Sequence, residues 1–161
     1  MQVIIKNKFW TIGGSSKIQD TAGNPVANVK GKIFSFTKKK LIQDLEGNTK
    51  FIVRNKFWHF FMKSALIYDA NKNLICQIKR KVSITTDFKF LKCEKNWRVD
   101  GSVFAWNFRL IEDEKPIATI SRQFNWTETF LLDTGAQDPF LMMALVIAID
   151  NIVDRELNQA T

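Results

Sequence analysis

One histidine, two cysteines, three prolines and a single tyrosine stand in a chain of 161 residues. The lone imidazole, His59, lies in Trp58-His59-Phe60-Phe61, where strand alternation sets it opposite two aromatic neighbours. One histidine offers no metal-binding cluster and reads as a surface or satisfied strand residue rather than a catalytic base. Cys76 and Cys93 are 17 positions apart with no histidine near them, so they make no zinc signature and are expected as reduced thiols. No Gly-x-Ser-x-Gly elbow is present. Gly13-Gly14-Ser15-Ser16-Lys17 lacks the spacing of a phosphate loop, and no helical pattern follows it. No apolar run approaches the ~20 residues that cross a bilayer. The first residues lack the basic, apolar, small-residue order of a secretory leader, and a cytoplasmic location is expected. Catalytic residues, cofactor and metal are therefore all expected to be absent, and the chain is not expected to be an enzyme.

What is present is a late run of ten apolar residues, Phe140–Ile149. Asp138 precedes it as a candidate N-cap and Pro139 suits the first helical position, predicting a helix over about 139–157. A surface helix would show a polar face; one that is apolar all round has to be buried on every side.

Upstream, one motif recurs. Ile18-Gln19-Asp20 with Asn24, Ile42-Gln43-Asp44 with Asn48, and Ile67-Tyr68-Asp69 with Asn73 share an apolar residue, an aspartate two places on and an asparagine four places later. The aspartate can accept from its own downstream backbone, and Gly or Asn tolerates the positive φ of a tight reversal. The aspartates are 24 and 25 positions apart, and Asn7-Lys8-Phe9-Trp10 recurs as Asn55-Lys56-Phe57-Trp58 after 48. Propeller blades need about 40 residues, so the pattern predicts a meander of two strands per repeat. Leu110-Ile111-Glu112 through Pro116-Ile117 reads as a fourth turn. Alternation marks strands in Ile33–Thr37 and Val103–Phe108, with others near Val3–Phe9, Lys40–Asp44, Lys50–Arg54, Trp58–Lys63, Leu74–Lys79, Val82–Thr86, Phe88–Lys92, Pro116–Ile120 and Thr129–Asp133. About twelve strands in one domain, residues 1–161, would close a barrel wide enough to take a helix of about 10–12 Å.

The repeats, the segment Ile120-Ser121-Arg122-Gln123-Phe124-Asn125-Trp126-Thr127-Glu128-Thr129-Phe130 and the closing Leu141-Met142-Met143-Ala144-Leu145-Val146-Ile147-Ala148-Ile149-Asp150 resemble the LURP-one-related family. That family belongs with the tubby C-terminal domain and the phospholipid scramblases. The resemblance extends from about Val3 to Leu157 and implies a mostly-β fold: a twelve-stranded closed barrel around a hydrophobic C-terminal helix. Tubby domains bind phosphoinositides and scramblases act at membranes, but no functional motif of either is matched here position by position. The scramblases' cysteine-rich palmitoylation segment and membrane anchor are lacking.

Charge gives the remaining functional signal. Residues 1–81 carry 16 Lys and Arg against 4 Asp and Glu, a balance of +12, whereas residues 82–161 carry 8 against 12. Such asymmetry suits an anionic partner, or it serves only to keep strand edges soluble. Two runs concentrate it, Lys38-Lys39-Lys40 and Lys79-Arg80-Lys81, the candidate headgroup-binding residues. Alternate strand residues face opposite ways, so such a run is a cationic cluster only within a turn. The expected role is a binding or adaptor module for an anionic phospholipid surface or a protein partner. A carrier barrel for a small apolar ligand and a nucleic-acid binder are the alternatives. Phe34, Phe36, Phe57 and Trp58 would supply stacking for the last, although core packing also accounts for them. Asp150, after the apolar run, is expected at the barrel mouth, bonded to backbone or paired with a base.

Overall fold

The computed structural model describes residues 1–6, 15–31, 39–56, 62–81, 88–103, 107–123 and 129–157. Twelve strands precede one helix: β1 Gln2–Lys6, β2 Ser15–Asp20, β3 Pro25–Gly31, β4 Lys40–Gln43, β5 Thr49–Lys56, β6 Met62–Asp69, β7 Leu74–Lys81, β8 Phe88–Leu91, β9 Trp97–Ser102, β10 Asn107–Glu112, β11 Lys115–Gln123, β12 Thr129–Thr134 and α1 Pro139–Leu157. They form a single antiparallel sheet in the order β8-β7-β6-β5-β4-β3-β2-β1-β12-β11-β10-β9. The first and last strands are thus neighbours within it, with Ile4 opposite Leu131.

Three of the reversals repeat one device. Asp20 Oδ1 accepts from the backbone N of Asn24 at 2.8 Å, and Asp20 Oδ2 accepts from the Asn24 side chain at 3.0 Å. Asp44 with Asn48 and Asp69 with Asn73 make the same pair of bonds. Gly23 and Gly47 take the positive φ (87° and 90°) in the first two turns, while Lys72 takes it (68°) in the third. Here the aspartate bonds offset the cost of a left-handed lysine. A register shift sits just before each aspartate, at Ile18/Gln19, Ile42/Gln43 and Ile67/Tyr68. The fourth turn is tighter, with Asp113 and Glu114 both at positive φ between β10 and β11. All four lie at the same end of the barrel.

The helix begins at that end. Asp138 Oδ1 accepts from the backbone N of Leu141 at 3.0 Å, the cap expected from the sequence. Every residue from Met142 to Val153 is at most 4% exposed, so more than three turns are enclosed on all sides. The helix packs chiefly against β5 and β6 and meets inward residues such as Ile42, Val53, Ile67 and Leu132 in one continuous core. The expected barrel with a central helix is therefore what the chain forms.

Closure is nearly complete. The sheet ends at β8 and β9, and no ladder joins them among the described residues. Side chains bridge this seam instead: the rings of Phe90 and Trp97 meet edge-on with centroids 6.2 Å apart. Beside it lies a correction to the expectation of reduced thiols, because Cys76 and Cys93 are joined as a disulfide with Cα atoms 4.6 Å apart. Gln77 faces Leu91 in the β7–β8 register, and Lys92 then turns the chain at φ 55°, which returns Cys93 to Cys76. Sequence spacing alone cannot reveal this, since the 17-residue separation is folded back by a hairpin. Strands expected over 33–37 and 82–86 lie outside the described residues, as does His59.

Candidate functional site

Side chains alternate across each strand, so burial divides the basic residues into two sets. On β5 the core takes Phe51 and Val53, with Asn55 buried in the same parity, while Arg54 and Lys56 are exposed on the outer surface. On β7, Cys76, Ile78 and Arg80 face inward, leaving Lys79 outside. On β8, Phe88 is buried and Lys89 is exposed. Register aligns the outer set: Lys56 is opposite Ser64, Ser64 opposite Lys79, and Lys79 opposite Lys89. With strands about 4.8 Å apart, this row crosses four strands in about 14 Å. One step along, Arg54, Leu66, Gln77 and Leu91 form the adjacent row. Between the cations Ser64 and Gln77 are 5% and 4% exposed and Lys79 is half-buried, so the charges stand over a partly covered stretch of sheet. Leu91 is 37% exposed, an apolar side chain beside the cations.

None of Arg54, Lys56, Lys79 and Lys89 takes part in an ion pair among the described residues. Four basic groups elsewhere do, while Lys17, Lys30, Lys115 and Arg122, which are scattered over other strands, do not. Lys50 meets Asp44 at 3.2 Å, Lys95 meets Glu112 at 2.6 Å, Arg98 meets Glu114 at 2.7 Å, and Arg109 meets Asp100. The Lys95 ammonium and the Trp97 indole N–H both donate to Glu112 and hold its carboxyl below the usual range. On β9 and β10, then, Arg98 and Arg109 are compensated by Glu114 and Asp100; what distinguishes the outer face of β5, β7 and β8 is that its uncompensated cations stand in register.

This arrangement removes Lys40 and Arg80 from the two candidate clusters. Lys40 and Arg80 are 5% and 6% exposed and point into the barrel, so neither can reach a flat external surface. The Arg80 guanidinium lies 5.6 Å from the Phe88 ring centroid, and burial pushes its pKa down. Lys39 is half-buried just before β4. Lys38 lies outside the described residues, and of Lys81 only the backbone in β7 is described. Among the described side chains of both runs, Lys79 is the one that carries over to the outer row. Sequence reasoning missed Arg54, Lys56 and Lys89 because each stands as an isolated charge; only hairpin register brings them together.

Asp150 is 4% exposed and lies within the buried part of the helix. Among the described residues no three His, Cys, Asp or Glu side chains gather as metal ligands. A second feature is a cavity of about 420 Å³ where the helix starts, lined by Lys95, Trp97, Glu112, Ile117, Asp138 and Leu141 among others.

Comparison with known proteins agrees with this architecture. The uncharacterized protein YxjI of Bacillus subtilis (strain 168) is 20% identical over 153 residues, covering 92% of this chain and 76% of that protein. A protein of Arabidopsis thaliana known from an X-ray structure superposes with a TM-score of 0.65 at 16% identity, over 95% of this chain and 91% of that one. At such identity the structural likeness speaks for the fold alone. The model of the LURP-one-related family matches residues 1–150, which hold all twelve strands and most of the buried part of the helix, and the chain belongs to that family.

Proposed function

We propose that the protein is a non-enzymatic binding module that docks on an anionic phospholipid surface through the outer face of β5, β7 and β8. The observation that carries this reading is the row Lys56, Lys79 and Lys89, which has no acidic partner among the described residues and has Arg54 beside it. Each Lys or Arg held near an anionic leaflet contributes about 1 kcal/mol, so four contribute about 4 kcal/mol, roughly a thousandfold in affinity. Leu91, exposed among them, can enter the headgroup region. The reading places the protein in the cytoplasm, peripheral to the membrane.

Two other readings have less support. A lipocalin-like carrier needs a lumen, and here the helix occupies the barrel interior. A nucleic-acid groove would pair cations with exposed aromatic platforms; the aromatics named for that role, Phe34, Phe36, Phe57 and Trp58, lie outside the described residues, and the apolar side chain beside the cationic row is the aliphatic Leu91.

Flotation with vesicles tests the proposal. Vesicles containing phosphatidylserine or a phosphoinositide should carry the protein at low salt and release it as ionic strength rises, whereas phosphatidylcholine vesicles should not carry it. Replacing Lys56, Lys79 and Lys89 together by Gln should abolish flotation without lowering the thermal melt. Equal binding to neutral vesicles, no binding to either, or an unaffected triple variant would each defeat the reading and favour an acidic protein partner.

A further inference from the structure

We propose that the Cys76–Cys93 disulfide is a redox latch on the barrel seam, and that thiol–disulfide exchange controls how firmly β8 and β9 are held. The bond lies where the fold is least secured by backbone pairing. Every other pair of neighbouring strands shares a hydrogen-bonded ladder, whereas β8 is laddered only to β7 and β9 only to β10. Among the described residues, what ties the connection between β8 and β9 to the rest of the barrel is a short set of side-chain links. These are the disulfide at Cys93, the Lys95 and Trp97 bonds to Glu112, and the Phe90–Trp97 ring contact. The Asn96 carbonyl adds a backbone bond from Asp113. Cutting the covalent link therefore acts on a segment with few substitutes. The effect would reach the cavity at the start of the helix, because Lys95 and Trp97, two and four residues after Cys93, form part of its wall.

The two sulfurs differ in access. Cys76 is fully buried on the inward face of β7, while Cys93 is only partly buried. A thiolate of a dithiol reductant attacks Cys93 Sγ, the Cys76–Cys93 bond breaks, and the Cys76 thiolate leaves and takes up a proton. The reductant's second thiol then attacks the mixed disulfide at the reductant's own sulfur. Cys93 is released as a thiol and the reductant departs as its disulfide, two electrons having moved to the protein. Glutathione disulfide restores the latch: the Cys93 thiolate attacks one of its sulfurs and releases one glutathione. The Cys76 thiolate then attacks Cys93 Sγ in the mixed disulfide and releases the second, so both electrons leave on two glutathione thiols. In a reducing compartment, disulfides that do occur are typically of this transient, sensing kind.

Thiol titration and hydrogen exchange on the whole protein test the latch. After equilibration with glutathione disulfide no titratable thiol should remain, and after dithiothreitol two should appear. Reduction should speed amide exchange in residues 88–102 by roughly tenfold or more, with β1–β6 unchanged. Cys93→Ser should show the fast pattern in either reagent. Reduced wild type gives the same reading should that variant fold poorly. Two titratable thiols after glutathione disulfide, unchanged exchange in 88–102, or a loss of protection throughout the barrel would each overturn the proposal, the last by making the bond a global staple.

Discussion

Lys79 and Lys89 lie directly opposite one another on the outer side of the β7–β8 ladder, with no carboxylate paired to either among the described residues. Like charges placed this way destabilise a sheet, and an opposite-charge pair contributes about 0.2–1 kcal/mol relative to a neutral one. Lys89→Glu should therefore raise stability in urea denaturation by about that amount. The same change should weaken retention on anionic vesicles, so stability and binding move in opposite directions. A variant that is less stable and still retained would contradict a functional role for the row.

The aspartate turns predict a pH effect. At Asp44 the Asn48 side chain is the largest influence, helped by the Asn48 backbone N–H and by Lys50 and opposed by partial burial, and together they lower its pKa from 3.8 to about 2. A carboxyl whose folded pKa is depressed stabilises the fold above its unfolded pKa and loses that contribution as pH falls through the folded value. The contribution of this turn is thus complete above about pH 4 and fades towards pH 2. Asn48→Leu removes the side-chain donor, and NMR titration of the Asp44 carboxyl should then show a midpoint moved up towards 3.8. An unmoved midpoint would mean that the Asn48 side chain is not the dominant cause.

Features governed by neighbours in sequence were legible in advance. Asp20 and Asn24 lie four apart and bond within one turn, and Asp138 caps a helix that starts at the next residue. The all-round apolar run implied burial, and burial implied a shell of strands. Features that depend on register were not legible. Lys40 and Arg80 looked like members of cationic runs until strand parity turned them inward, and Lys56 and Lys89 joined Lys79 only through two ladders. Trp97–Ser102 was hidden because Asp100 and Gly101 break its apolar alternation. The Cys76–Cys93 bond required both the β7–β8 register and the left-handed Lys92.

Gly101 is irreplaceable on two counts. Its φ is +106°, and a Cβ there would lie 2.7 Å from the Asn107 carbonyl oxygen and 3.0 Å from the Phe108 Cα, both backbone atoms. Gly101 faces Phe108 in the β9–β10 ladder, so neither strand can yield without disturbing the pairing. Gly101→Ala should cost about 1–3 kcal/mol in chemical denaturation although the residue is exposed. A neutral result would show that this end of the ladder can relax freely.

Two substitutions at the helix separate capping from burial. Asp138→Ala removes the acceptor for the Leu141 N–H at an exposed position and should cost about 1 kcal/mol, leaving a cooperative melt. Leu145 is 0% exposed, and Leu145→Asp would place a carboxylate among Met142, Ile149 and the inward strand residues. Unpaired burial of that charge costs a large part of the 5–15 kcal/mol by which domains of this size are stable, so the variant should not fold. Circular dichroism and thermal melting distinguish the cases. Because the helix fills the barrel, its loss removes the core of every strand at once, and the whole barrel should unfold with it; a folded Leu145→Asp protein would show that the strands close without the helix inside.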